Sequence, residues 1–191
     1  MPYKPPVAVY DACVLYPFHL RNLLVQCAVD RLVEARWTDA IHDEWIRNLS
    51  ANKPGLTRRG LETTRDLMKA VLPTADVQGY AQHIRGIQLP DADDRHVVAA
   101  AIAGHAAVIV TWNVDDFPQA EMARHRLRRE TPDAFLLGLH AAAPEVVIAS
   151  AANARRNLRI STPAPGEFVD ALERQGLAGF GAVLRAGLTE L

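Results

Sequence analysis

Acidic side chains at four separated points are the residues of this sequence best suited to chemistry. Asp11 closes a short apolar run, Val7-Ala8-Val9-Tyr10. Glu44 lies in a stretch with helical spacing. Asp91, Asp93 and Asp94 follow Pro90, while Asn113, Asp115 and Asp116 follow the run Ala107-Val108-Ile109-Val110-Thr111. Carboxylates gathered in one place repel, and each raises the pKa of its neighbours. A cluster of four or five is stable only around a cation, and oxygen donors alone suit hard ions such as Mg2+ or Mn2+. Such ions activate water, neutralise a phosphodiester and steady a leaving oxygen. That chemistry needs no nucleophilic serine or cysteine and no phosphate-binding glycine loop, and the sequence shows neither pattern. Taken singly the acids are less telling. Asp11 reads equally as a strand-end residue, Glu44 as a solvated helix residue and Asp93 as a helix cap. Asn113 and Asp116 suit a turn.

The elements that must position these acids can be read from apolar spacing. Residues 7–10 and 107–111 are short, β-branched and apolar, as buried strands are. Residues 18–36 carry helical spacing through Leu20, Leu23, Leu24, Cys27, Leu32 and Val33. A helix is expected over 39–49, capped by Thr38 or Asp39, with Ile41, Trp45 and Leu49 on one face and Glu44 on the polar side. Further helices are expected from Thr57 to about 71, near 77–85, over about 93–104 and, opened by Pro132, over 132–142. Gly104 ends the third of these just before the second strand. Helix and strand in alternation favour a parallel sheet with helices on its faces. Such sheets bind ligands beyond the carboxyl ends of their strands, where Asp11 and residues 113–116 would lie. Residues 144–159 and 166–187 read as two helices separated by Thr162-Pro163-Ala164-Pro165, with no strand between them.

Four motifs in this order resemble the PIN-domain family, and within it the VapC-like toxin ribonucleases. They are Val9-Tyr10-Asp11-Ala12-Cys13-Val14-Leu15, Ile41-His42-Asp43-Glu44-Trp45, Leu89-Pro90-Asp91-Ala92-Asp93-Asp94 with its Ala-rich continuation, and Thr111-Trp112-Asn113-Val114-Asp115-Asp116-Phe117. The last is the most specific. The resemblance implies a three-layer α/β/α sandwich around a parallel sheet over residues 5–142, with a C-terminal helical extension over 143–191. It implies metal-dependent cleavage of RNA by the toxin of a toxin–antitoxin pair, an antitoxin partner and a homodimer. Asp11, Glu44 and Asp94 match the family's acids, Asp91 an extra acid of some subfamilies, and the fourth position is split between Asn113 and Asp116. On this reading Asp11, Glu44, Asp94 and Asp116 are catalytic, and Asp11, Asp91, Asp94, Asn113 and Asp116 hold Mg2+ or Mn2+. Two departures stand out. Cys13 replaces the usual hydroxyl or amide residue, and a thiol hydrogen-bonds poorly. Asn113 removes one charge. They leave room for an inactive PIN-like module that binds RNA or protein without cutting.

Composition sets limits on these readings. The chain has 191 residues and a net charge of -1, so any attraction to RNA must be local. Arg124, Arg126 and Arg128 form a basic run that suits phosphate contact and equally suits a solvated face. His42 and His96 read as structural, since His96 turns away from Asp94 on a helix. Two cysteines make no disulfide framework or zinc motif. No apolar run nears the roughly 20 residues of a membrane helix, and residues 1–6 lack the features of a signal peptide, so a cytoplasmic protein is expected. A receiver-type domain would need a late lysine, but lysine occurs only at 4, 53 and 69. A phosphatase would need Asp-x-Asp, where this chain has Asp11-Ala12-Cys13.

Overall fold

The computed structural model describes residues 3–191. In chain order the elements are β1 (Val7–Tyr10), α1 (Ala12–Leu15), α2 (Phe18–Val29), β2 (Glu34–Arg36), α3 (Asp39–Asn52) and α4 (Arg58–Val71). They continue with α5 (Arg95–Ala103), β3 (Val108–Val110), α6 (Gln119–Arg124), β4 (Arg128–Glu130), α7 (Pro132–Ala142), α8 (Pro144–Arg156), α9 (Pro165–Arg174) and α10 (Ala178–Ala186). Short 3-10 turns cover Pro73–Ala75, Tyr80–Gly86, Val114–Asp116 and Leu188–Glu190. No helix among the described residues is long and apolar enough to cross a membrane. The chain divides into two compact units.

One unit comprises Pro6–Tyr16 and Glu34–Thr131 and contains the sheet. Its four strands are all parallel, in the order β2-β1-β3-β4. The class is therefore α/β, with helices following the sheet at the C-terminal side of the sequence. The two central strands carry the apolar runs. Ala8 to Tyr10 and all of β3 have no exposed surface, as strands covered on both faces require. The outer strands are charged, Glu34-Ala35-Arg36 and Arg128-Arg129-Glu130, which protects exposed edges from further pairing. From β1 the chain passes to β2 on one side and later to β3 on the other. The crevice beyond the carboxyl ends of β1 and β3 is thus a topological switch point, where open parallel sheets bind their ligands.

Around this sheet the helices follow their sequence signals. Thr38 caps α3 by accepting from the Ile41 amide (3.2 Å), and Ile41, Trp45, Ile46 and Leu49 form its buried face. Thr57 caps α4 in the same way at Gly60. Helix α5 packs on β1 and β3 through Val97 to Ala101, all buried, and its small side chains permit the close approach. Gly104 ends it where a Cβ would stand 2.9 Å from the Ala100 carbonyl oxygen.

Residues 18–36 and 128–130 differ from the sequence expectation. The helical spacing over 18–36 predicts one helix, but α2 stops at Val29. Arg31 adopts a left-handed φ of 62°, the Arg31 amide bonds Ala28 O and the Leu32 amide bonds Cys27 O. This is a helix-ending motif of the Schellman kind. It frees residues 34–36 to pair with β1, and that tertiary pairing overrides the local spacing. Strand β4 also has no apolar signature, and its pairing with β3 defines it.

The other unit comprises residues 3–5, Pro17–Val33 and Pro132–Leu191. Helix α2 packs on α8 and α9, burying Leu20, Leu23, Leu24, Cys27 and Ala28. Polar bonds fix this packing, with Asn22 Nδ2 donating to Ala154 O (2.8 Å) and Ser150 Oγ to Asp30 (2.7 Å). The helix expected over 166–187 is broken into α9 and α10 at Gly176, whose φ of 98° favours glycine. Asp133 on α7 accepts from the Gly179 and Phe180 amides at 3.0 and 2.8 Å, so the start of α10 is capped from a distant helix.

Candidate functional site

Asp11 occupies the first position after β1 and is buried, with 4% of its surface exposed. Its Oδ1 accepts from the Ala12 amide (2.7 Å) as the N-cap of α1. Its Oδ2 accepts from Thr111 Oγ1 (2.7 Å) and Cys13 Sγ (3.2 Å). Thr111 is the first residue after β3, so parallel pairing of β1 with β3 brings its hydroxyl to the acid. The same hydroxyl oxygen accepts from the Asn113 amide (3.0 Å), and Cys13 Sγ accepts from the Trp112 amide (3.3 Å). Burial, then the charge of Asp11, push the Cys13 thiol up to about 12. It therefore stays protonated and can donate. The weak donor foreseen from sequence holds its place by being desolvated inside this network. Sequence reasoning did not give Thr111 this orienting role. The available signal was Thr111's position directly after one buried strand, with Asp11 directly after the other.

Asp94 sits at the N-cap of α5, yet its side chain makes no capping bond. Its carboxyl is raised to about 6, first by burial and then by the charges of Asp11, Asp91, Asp116 and Glu44. Acids from four stretches of the chain thus act on one another in a shared field. Glu44, half-buried on α3, is likewise raised, by burial and then by Asp11. Asp91 is exposed, and its Oδ1 accepts from the Asp93 amide (2.8 Å), shaping the loop before α5. Asn113 is exposed and heads the turn Val114–Asp116, whose Asp116 amide donates to Asn113 O (3.0 Å). Asp116 is partly buried.

His96 stands beside this group. Its Nε2 lies 3.6 Å from Glu44 Oε2, and its Nδ1 lies 2.6 Å from Asp93 O. It faces Glu44, a contact that no local pattern could reveal. His42 is structural: Nδ1 accepts from Trp45 Nε1 (3.0 Å), and burial pushes the ring down to about 4. Trp37 and Trp45 belong to the core.

Among the described residues, no three His, Cys, Asp or Glu side chains are gathered as a ready-made metal-binding group. The donor chemistry nonetheless fits a hard dication. The candidate ligands are oxygens, and Mg2+ commonly binds through one or two carboxylates while keeping its waters.

The basic run divides. Arg124 pairs with Glu121 (2.7 Å) and Arg128 with Glu130 (3.3 Å), while Arg126 follows α6 with a φ of 59°. Glu121 also accepts from the Gln88 amide (3.0 Å), tying α6 to the loop before α5.

Two family models match the sequence. One, described as a PIN domain, covers residues 7–115, more than half of the chain. The other, described as the VapC50 C-terminal domain, covers residues 132–186. The first spans Asp11, Glu44, Asp91, Asp94 and Asn113, and stops one residue before Asp116. No curated protein and no solved structure gives a significant match.

Proposed function

The chain belongs to the PIN-domain family, and from that premise we propose that it is a divalent-metal-dependent endoribonuclease of the VapC type, the toxin of a toxin–antitoxin pair. The observation that carries this reading is the Asp94 carboxyl, raised to about 6 by burial and by four other acids from the ends of β1 and β3, from α3 and from the loop before α5. In this reading Asp11, Asp91, Asp94, Asn113 and Asp116 hold the ion, and Glu44 completes the catalytic set with Asp11, Asp94 and Asp116. Bound Mg2+ or Mn2+ would supply Lewis-acid activation of water and offset the charge of a phosphodiester.

The chain's own residues do the rest. Thr111 and Cys13 aim Asp11 by donating to Oδ2. Asp94 can carry a proton close to neutral pH in the metal-free protein, and it would release that proton when the ion binds. Three further parts of the reading rest on the family alone: RNA as substrate in the cytoplasm, a protein antitoxin, and a homodimer. The matched C-terminal segment supports the VapC assignment.

The purified protein should cleave RNA when Mg2+ or Mn2+ is supplied and lose that activity on Asp11→Asn or Asp94→Asn. Undiminished cleavage by both variants would defeat the proposal. Sequencing the ends of RNA cut on induction would identify the target.

A further inference from the structure

Glu121 is a buried carboxylate apart from the candidate acids of the site. It lies on α6 with 5% of its surface exposed. Its Oε1 accepts from the Gln88 amide (3.0 Å) and lies 3.1 Å from His125 Nε2, while its Oε2 accepts from Arg124 (2.7 Å). Burial pushes this carboxyl up, but the bonds from Gln88, His125 and Arg124 outweigh it and hold the group below the usual carboxylate range. An ionised acceptor makes the bond to the Gln88 amide one of the stronger, charge-assisted kind. Gln88 lies in the loop that leads through Pro90 to Asp91 and Asp94. Helix α6 is also tied to the second acid-bearing segment. Arg129 of β4 donates from Nε to Val114 O (2.7 Å), within the turn that carries Asp116, and from Nη1 to Gln119 Oε1 (2.5 Å) at the start of α6. Phe117 and Met122, with no exposed surface, anchor this stretch in the core. One short helix thus refers the loop at 88–94 and the turn at 113–116 to each other.

We propose that Glu121 is a positioning residue for the candidate site: by holding the Gln88 amide it fixes the loop that carries Asp91 and Asp94 against the turn that carries Asn113 and Asp116. The inference rests on the reading of those acids as a nuclease site. A displacement of about 1 Å between reacting groups can cost roughly 100-fold in rate. Acids supplied by separate loops therefore need a rigid link between the loops. A buried ion with its partners adds little stability over an apolar side chain of similar volume. What its directed bonds add is a fixed distance between the segments they join. Glu121 acts through Gln88 and not on the reacting groups.

Substitutions at both ends of the bond test this in the intact chain. Glu121→Ala removes the acceptor, and Glu121→Gln keeps one for the amide. Gln88→Pro removes the donor hydrogen, and the extended backbone of Ile87 suits a following proline. In the metal-free protein, two-dimensional NMR should show the Asp91, Asp93 and Asp94 amide signals moved in Glu121→Ala and Gln88→Pro but in place in Glu121→Gln. With RNA and Mg2+, kcat per folded molecule should fall roughly 10–100-fold in the first two, with KM little changed, and return nearly to the unaltered value in Glu121→Gln. A merely structural role would lower the folded fraction and leave kcat per folded molecule as it was. Undiminished kcat per folded molecule, or unmoved amide signals, in whichever of Glu121→Ala and Gln88→Pro folds overturns the proposal. If the unaltered protein cuts no RNA, the nuclease reading falls, and the amide signals alone decide whether Glu121 holds the loop.

Discussion

Asp11 takes its orientation from two side chains whose removal should have different effects. Thr111→Val deletes the shorter bond and leaves a buried carboxylate oxygen with only a thiol partner, which should cost about 1–3 kcal/mol of stability. It should also weaken Mn2+ binding roughly 10–100-fold, as loss of an orienting partner does. Cys13→Ser keeps a donor at nearly the same place, so calorimetry should find its metal affinity close to that of the unaltered protein. Asp94 gives a pH prediction. Its folded pKa of about 6 exceeds the reference value of 3.8, so between those values the native state binds more protons than the unfolded chain. Its contribution to stability is complete below that window and declines as pH rises through it. In metal-free melts, the stability of the unaltered protein relative to Asp94→Asn should therefore fall between about pH 4 and 6. The variant should melt higher at neutral pH although it is inactive. A parallel pair of curves would refute this. At this scale the acids were legible, because their order along the chain and their positions after apolar runs can be read directly. Their partners were not: Thr111 is 100 residues from Asp11, and only the pairing of β1 with β3 joins them.

Elements were legible where their own side chains carry the signal. The runs of β1 and β3, and the spacing and caps of α3 and α4, announce themselves in sequence. Strands β2 and β4 do not, because three charged or small residues become a strand only when a neighbour supplies the hydrogen bonds. Helix ends set by left-handed residues are also hard to foresee when the residue is not glycine. Arg31 is such a case, and Arg31→Gly tests it. Relief of the left-handed conformation, worth about 1–2 kcal/mol, should outweigh the added freedom of the unfolded chain, which costs up to about 1 kcal/mol. Denaturant titration should show a small gain in stability. The cap on α10 comes from Asp133 on α7, and Asp133→Ala should cost about 0.5–2 kcal/mol.

Across the whole molecule charge is nearly balanced, at -1 overall, and Arg124 and Arg128 are already engaged with carboxylates. Two of the three arginines in the run at 124–128 are thus held by carboxylates before any RNA arrives. The logarithm of RNA affinity should therefore fall with the logarithm of salt at a slope of about two or less, since each phosphate neutralised on a single strand contributes roughly 0.7. A steep slope would mean that these arginines leave their carboxylates to bind RNA. The fold class followed from alternation of helices and apolar strands. The division into two units did not, since nothing local to residues 18–29 announces their partnership with helices that come more than a hundred residues later.

Both thiols of this protein, Cys13 and Cys27, are held by burial near a pKa of about 12. The thiolate is the form that alkylating reagents attack. A maleimide added to the native molecule should therefore react only when a region opens, and Cys27 and Cys13 lie in different units. Mapping which of the two is modified first would time the opening of each half separately, with no engineered label.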